Sequence, residues 1–192
     1  MNRREFLMPL AVAGTAWHAA RAQQGSGAQI QAADFSSLQE LLTPTGKFFV
    51  RNHFIAPQLP LPAWRLRITG DVRSTLELSY AEISSRSNEE HTVTLECAGN
   101  AVGSGGVSTA TWEGIPLGTL LEEAGVGPDV SYIRLIGADQ GIEPPLHAPF
   151  SFVRSIPLEK ALHPDTLLAF RMNGEALPVG HGYPLRAIVP GW

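Results

Sequence analysis

The sequence predicts a single mixed α+β domain, and three observations carry that prediction. Segments with strand-like alternation and short helical segments follow one another without the regular β-α-β succession of a doubly wound sheet. The 19 glycines and 15 prolines are many for 192 residues, which calls for turns and irregular loops rather than a helical bundle. A hydrophobic content of 44% fills one sizeable core, and neither an internal repeat nor a second-domain linker divides the chain.

The first residues are an address. Arg3-Arg4-Glu5-Phe6-Leu7 precedes a short, weakly apolar stretch and then Ala20-Arg21-Ala22, a small-x-small cleavage pattern. The apolar stretch is too short to span a membrane, and Pro9, Gly14 and His18 interrupt it. Residues 1–22 therefore read as a twin-arginine signal peptide, which sends a protein to the periplasm already folded around a cofactor. Residues 23–33, rich in Gly, Ser, Ala and Gln, read as a flexible leader, and residues 34–192 as the domain.

Within the domain, residues 36–42 suit a short helix capped by Asp34 or Ser36. Residues 64–69 alternate and read as a strand ending at Gly70-Asp71. Ser79 and Glu82 have capping-box spacing before a short helix. Residues 91–97 alternate cleanly: Val93, Leu95 and Cys97 share one face, Thr92, Thr94 and Glu96 the other. Pro116 opens a helix that passes Leu120 and Leu121 and stops near Gly125. Residues 130–136 form an apolar strand, and Pro157 starts a short helix reaching Leu162. Asn173-Gly174, between residues 167–172 and 175–177, is a hairpin signal. Residues 185–189 read as the final strand.

Composition narrows the chemistry. The net charge is -4, and the first 22 residues carry three arginines against one glutamate, so the remainder is near -6. An acidic chain with no basic stripe argues against nucleic acid, and any anion site must rest on a few locally placed cations. One cysteine allows neither an intramolecular disulfide nor a Cys-rich zinc site, and no Cys-x-x-Cys-His motif for haem attachment is present. Gly103-Ser104-Gly105-Gly106 lacks the lysine and the helix of a phosphate loop, and no G-x-S-x-G supports a hydrolase.

Three places remain where chemistry can sit. Cys97 ends a strand and precedes Ala98-Gly99-Asn100, small turn-capable residues that let the backbone approach something bulky. A thiolate suits a soft metal, and one suffices when a cofactor supplies the other sulfurs, although a lone cysteine is more often a small buried hydrophobe. Residues 48–53, Phe-Phe-Val-Arg-Asn-His, gather two aromatics, a cation, an amide and an imidazole; as a strand they put Arg51 and His53 on one side. Taken alone, the stretch reads equally as an edge strand with a solvated arginine. In residues 180–186, glycines flank His181, and Arg186 suits paired contacts to a phosphate. The same stretch also fits a simple turn before the last strand.

Together these segments resemble a known family. FFVRNH, TLECAGN, TWEGIPLGTLLEEAG, SIPLEKAL, LLAFRMNGEALP and HGYPLRAIVPG occur in the order seen in the molybdenum domain of sulfite oxidases and related bacterial sulfite dehydrogenases. The resemblance runs from Lys47 to Trp192 and implies a sulfite-oxidase-type molybdopterin-binding fold with a mixed sheet. It implies that Cys97 binds molybdenum and that Phe49, Val50, Arg51, Asn52 and His53 line the pterin, Arg51 also facing the substrate. His181 and Arg186 would hold the pterin and its phosphate, and Asp139 matches a further pterin contact, while alone it reads as a turn aspartate before Gly141.

The resemblance also has departures. Members of the family follow the CAGN with two arginines and a longer loop bearing a tryptophan; here Ala101-Val102 and a short glycine-rich loop lead to Val107. One substrate-side cation and one aromatic wall are missing, with Arg51 remaining and Arg154 as a substitute. The family's domain continues past the VPG with a lysine-bearing segment and an immunoglobulin-like domain, so a chain ending at Trp192 is expected to be truncated. The expected activity is oxidation of sulfite or a related small sulfur oxyanion, with electrons passed to a separate acceptor such as periplasmic cytochrome c. The alternatives are a reductase or dehydrogenase of another small substrate such as a sulfoxide, or a cofactor-binding module without turnover.

Overall fold

The computed structural model describes residues 30–33, 40–101 and 104–192. The expected signal peptide at residues 1–22 lies outside them, as does most of the expected helix at residues 36–42, of which residues 40–42 form a bend. Residues 30–33, the described end of the expected leader, pack onto the domain. Ile30–Gln31 (β1) pairs antiparallel with Val50–Arg51 (β2), and Ala33 is buried with its N–H donating to Gly105 O at 2.8 Å. Backbone pairing, to which side-chain composition contributes little, overrides the Gly/Ser/Ala bias.

Eight further strands and three short helices carry the described fold between residues 65 and 176. Arg65–Ile68 (β3) and Leu76–Ser79 (β4) form a hairpin. Tyr80–Ser84 (α1) starts with the expected capping box: Ser79 and Glu82 each bind the other's backbone N–H. Glu89–Glu96 (β5) pairs along its whole length with Val107–Pro116 (β6), from Val107 to Gly114. Leu117–Ala124 (α2) follows directly and ends at Gly125 with φ 70°. Tyr132–Gly141 (β7) and Phe150–Pro157 (β8) form a long hairpin, and Leu158–Leu162 (α3) leads to Leu167–Met172 (β9). Asn173 and Gly174, at φ 50° and 79°, turn β9 into Glu175–Ala176 (β10), as the Asn-Gly pair predicts. Arg186–Ile188 (β11) closes the described fold.

The main sheet has the order β10-β9-β6-β5, with β11 also beside β9. The α+β class is the predicted one, but among the described residues every strand pairing is antiparallel rather than of mixed direction. Strand β6 carries polar Thr109, Thr111 and Glu113 on one face against Ser108, Ala110 and Trp112 on the other, a pattern the glycines before it conceal in the sequence. Strand β8 mixes Phe150, Phe152 and Val153 with serines and Arg154, so it lacks clean alternation.

Two cores flank the sheet. Leu168 and Phe170 of β9 point into the first, with Ile83, Ile115, Leu120, Leu121 and Ile156; Leu167, Ala169 and Met172 point into the second, with Phe48, Trp112 and Ile188. A β-bulge makes this division work. Arg171 faces Glu113 and Ala169 faces Gly114, so Phe170 is the extra residue and Met172 returns to the face of Ala169. Gly114 is required there, because a Cβ would lie 2.3 Å from Leu168 O. No described helix is long and apolar enough to cross a membrane.

Candidate cofactor site

The second core sets the first side of the site. A 3-10 turn, Thr45–Lys47, is tied to the sheet by Asn173, whose Nδ2 donates to Thr43 O at 3.0 Å and to Thr45 Oγ1 at 3.2 Å. The turn delivers Phe48, 1% exposed, edge-on to Trp112 at 5.8 Å and to His181 at 5.3 Å. Phe49 stacks on Phe48, and its N–H donates to Ser108 Oγ at 3.2 Å. Beyond β2, Asn52 Nδ2 donates to Gly180 O at 3.3 Å, and a side chain at Gly180 would touch Val50 at 3.7 Å. Residues 48–53 and 180–186, separated by some 130 positions, are thus brought together as the sequence predicts.

At the second side, the 3-10 turn Val179–His181 ends at Gly182 with φ 101°, and a Cβ there would press on Arg186 Cβ at 2.9 Å. The chain can therefore fold tightly round Arg186 only with glycine. Arg186 Nη1 donates to His181 O at 3.4 Å, and its Cζ lies 5.2 Å from the Trp112 ring centroid. No carboxylate among the described residues pairs with it. The residue keeps some exposure, but burial of its guanidinium pushes the pKa down to about 10, still cationic at neutral pH. His181 is 5% exposed; its pKa is lowered first by burial and then by the Arg186 charge, against a hydrogen bond at the Thr45 backbone. A neutral imidazole beside an unpaired buried cation is a seat for an anion, since an enclosed charge without a counter-charge is costly. The Arg186 and His181 donors thus fit a phosphate-bearing group.

Cys97 stands directly after β5, partly exposed. Its N–H donates to Gly106 O at 2.9 Å, and its own carbonyl accepts from Asn100 N–H at 2.8 Å. At Gly99 a Cβ would lie only 3.8 Å from Cys97 Sγ, so the glycine leaves the sulfur uncovered on that side. Ser108, which holds the Phe49 N–H, faces Leu95 across β5 and β6, two residues from Cys97. The one sheet therefore carries the cysteine and anchors the 48–53 segment.

Arg51 is exposed and makes no ion pair among the described residues. His53 Nε2 sits 3.2 Å from Glu143 Oε1, and its ring lies 5.1 Å from Phe152. Arg154 lays its guanidinium over Phe152 at 4.2 Å and donates to Val153 O at 2.8 Å. Asp139 is not brought to His181 or Arg186. It falls in an irregularity of β7, residues 137–139 opposite Phe152 alone, with Oδ1 lying back over Gly137, and it makes no hydrogen bond or ion pair among the described residues.

Sequence reasoning missed Ser108, Trp112, Asn100 and Phe152 as parts of the site. Trp112 is fully buried, and its Nε1 has no hydrogen-bond partner among the described residues. The buried alternation of Ser108, Ala110 and Trp112 was the available signal for two of them. A cleft of about 530 Å3 lined by Leu59, Pro60, Trp64 and Arg67 lies among other elements, with none of these residues.

Comparisons with known proteins identify the family and the fold. The family described as Oxidoreductase molybdopterin binding domain matches residues 53–192. Sulfite oxidase of Gallus gallus is 38% identical over 173 residues, covering 80% of this chain and 37% of that protein. Nitrate reductase [NADH] 1 of Arabidopsis thaliana is 36% identical, covering 79% of this chain and 18% of that protein. The crystal structure of the sulfane dehydrogenase SoxCD from Paracoccus pantotrophus superposes with a TM-score of 0.70 at 30% identity, covering 97% of this chain and 54% of that one. The chain thus spans well under two thirds of each of these relatives.

Proposed function

The chain belongs to the oxidoreductase molybdopterin-binding domain family, and from that premise we propose that it oxidises sulfite or a related small sulfur oxyanion in the periplasm, passing electrons to a separate acceptor such as cytochrome c. The observation that carries the proposal is Arg186: an enclosed guanidinium without a carboxylate, joined through His181 and Gly180 to the Phe49–His53 segment. Similarity to sulfite oxidase and to a sulfane dehydrogenase favours a sulfur substrate. The location rests on Arg3-Arg4 and Ala20-Arg21-Ala22.

The roles of the residues follow from their surroundings. Arg186 and His181 grip the phosphate with a charge-assisted bond and a neutral ring nitrogen. Val50, Asn52 and His53 line the pterin, with Asn52 locked to Gly180 and His53 to Glu143. Cys97 offers its sulfur to the metal from a backbone tied on both sides. When bound, the molybdenum–pterin group supplies two-electron redox chemistry with oxygen transfer. Arg51, exposed and unpaired among the described residues, draws in and orients the anion. Arg154 over Phe152 adds a second cation near His53, where Ala101-Val102 bring none.

The nitrate reductase relative favours a second reading, in which the substrate is another small oxygen-bearing molecule, a sulfoxide included. One experiment separates the two. Cofactor-loaded protein recovered from the periplasmic fraction is expected to reduce cytochrome c when sulfite is added. Oxidation of a reduced dye by nitrate or a sulfoxide, with no response to sulfite, would favour the second reading. Recovery from the cytosol alone would overturn the location.

A further inference from the structure

We propose that Asn100 is a positioning residue for Cys97: through Gly106 its carboxamide fixes the Cys97 backbone, and with it the direction of the Cα–Cβ bond that carries the sulfur. The proposal rests on the reading of Cys97 as the metal ligand.

Every polar atom of the Asn100 side chain is engaged. Oδ1 accepts from Gly106 N–H at 2.8 Å and from Ser104 Oγ at 2.5 Å, and Nδ2 donates to Glu96 Oε1 at 3.1 Å. Gly106 is the residue whose carbonyl accepts the Cys97 N–H at 2.9 Å. On its other side, the Cys97 carbonyl accepts the Asn100 N–H at 2.8 Å. The backbone on both sides of the Cys97 Cα is therefore tied, directly or through one residue, to Asn100. With the flanking peptides fixed, the Cα–Cβ bond has one direction, and only the side-chain rotation of the cysteine is left.

The local sequence is fitted to this clamp. A Cβ on Gly106 would lie 2.9 Å from Asn100 Oδ1, so glycine is what lets the amide reach the carboxamide. Glu96 ends β5 immediately before Cys97, and its bond to Nδ2 fixes which way round the carboxamide sits. Alanine at position 100 would keep the turn and lose all three side-chain bonds. The sulfur of a half-exposed cysteine would then sample several directions, and a metal ligand that samples directions gives a heterogeneous site.

The test uses three variants of the full chain. In apo-protein, iodoacetamide should alkylate Cys97 about tenfold faster in Asn100→Ala than in the parent, as expected when a loop loses the side-chain hydrogen bonds that hold it in place. In cofactor-loaded protein, Asn100→Ala should broaden and shift the sulfur-to-metal charge-transfer absorption with molybdenum and pterin content kept. The double variant Glu96→Gln with Asn100→Asp exchanges donor and acceptor across the 3.1 Å contact and keeps an oxygen facing Gly106 N–H. It should return both readouts close to the parent, and it keeps the idea testable if Asn100→Ala fails to fold. Cys97→Ser separates the two layers of the argument. If it leaves the absorption unchanged, the ligand reading itself is wrong and the proposal goes with it. If it shifts the absorption while Asn100→Ala matches the parent in both readouts, or the double variant is as disturbed as Asn100→Ala, Asn100 does not position Cys97.

Discussion

The two sides of the candidate site are built on opposite principles. Around Arg186 the structure is closed: His181 is 5% exposed, Phe48 1% and Trp112 fully buried, and no described carboxylate competes for the guanidinium. Around Cys97 and Arg51 it is open: the cysteine is partly exposed, Arg51 is exposed, and glycine leaves one flank of the sulfur bare. Retention of a charged group gains from low dielectric, where one paired cation is worth more than in water. Reaction needs a path for substrate, so the second side gives up burial and relies on backbone ties to hold its sulfur. Holding and reacting should therefore be separable by mutation.

The largest expected effect lies on the open side. Cys97→Ser is nearly isosteric at a half-exposed position, so the fold and the pterin content should hold. Turnover should fall by more than the roughly 10–100-fold that loss of an outer-shell partner costs, because serine oxygen is a harder donor. A variant that keeps its visible spectrum and its rate would break the division of labour at its centre. On the closed side the pattern should reverse. Arg186→Ala should cost about 2–5 kcal/mol of cofactor binding, since it leaves a bound phosphate underpaired. Pterin content after gel filtration reads this loss, and content equal to the parent's would mean that the anion sits elsewhere.

The same contrast explains what the sequence revealed and what it hid. Cys97, Arg51, His53, His181 and Arg186 stood out as candidates because each is a chemically unusual residue in a spaced, ordered set of motifs. The Asn-Gly turn, the Ser79–Glu82 capping box and the Pro116 helix start were legible because local backbone chemistry decides them. The supports were hidden. Trp112 acts on Arg186 across 74 positions, and Ser108 holds the Phe49 amide across 59, so the alternation that turns both residues inward does not reveal their partners. The bulge at Phe170 changes which core Met172 enters, and strict period-two reasoning puts that residue on the wrong face. Asp139 is a candidate by its motif alone: the β7 irregularity lays its carboxylate back over Gly137, a turn that alternation along the strand does not reveal.

The smallest expected effect tests the closed side by acid. Burial and the Arg186 charge lower the His181 pKa below 6.5, so the folded protein binds that proton less readily than the unfolded chain does. Stability then rises with pH over the interval where only the unfolded chain is protonated. The contribution is complete above about pH 6.5 and is lost as pH falls from there through the folded value. Glu82, held low by its bonds to Ser79, and Glu123, held low by Arg86, have the same sign, but their loss begins only below the ordinary carboxylate value of 4.5. Between about pH 4.5 and 6.5 His181 therefore contributes to the fall, with a slope that cannot exceed about 1.4 kcal/mol per pH unit for one group, and the difference between the parent and His181→Gln isolates its share. Urea midpoints of the cofactor-free protein should drop across that window, and His181→Gln should flatten the drop. Bound phosphate would offset the Arg186 charge that helps to keep His181 neutral, so the loaded protein should also show the shallower slope. Equal slopes for the parent and His181→Gln would mean that the imidazole is not held neutral by its enclosure, and the closed side would be less closed than its geometry indicates.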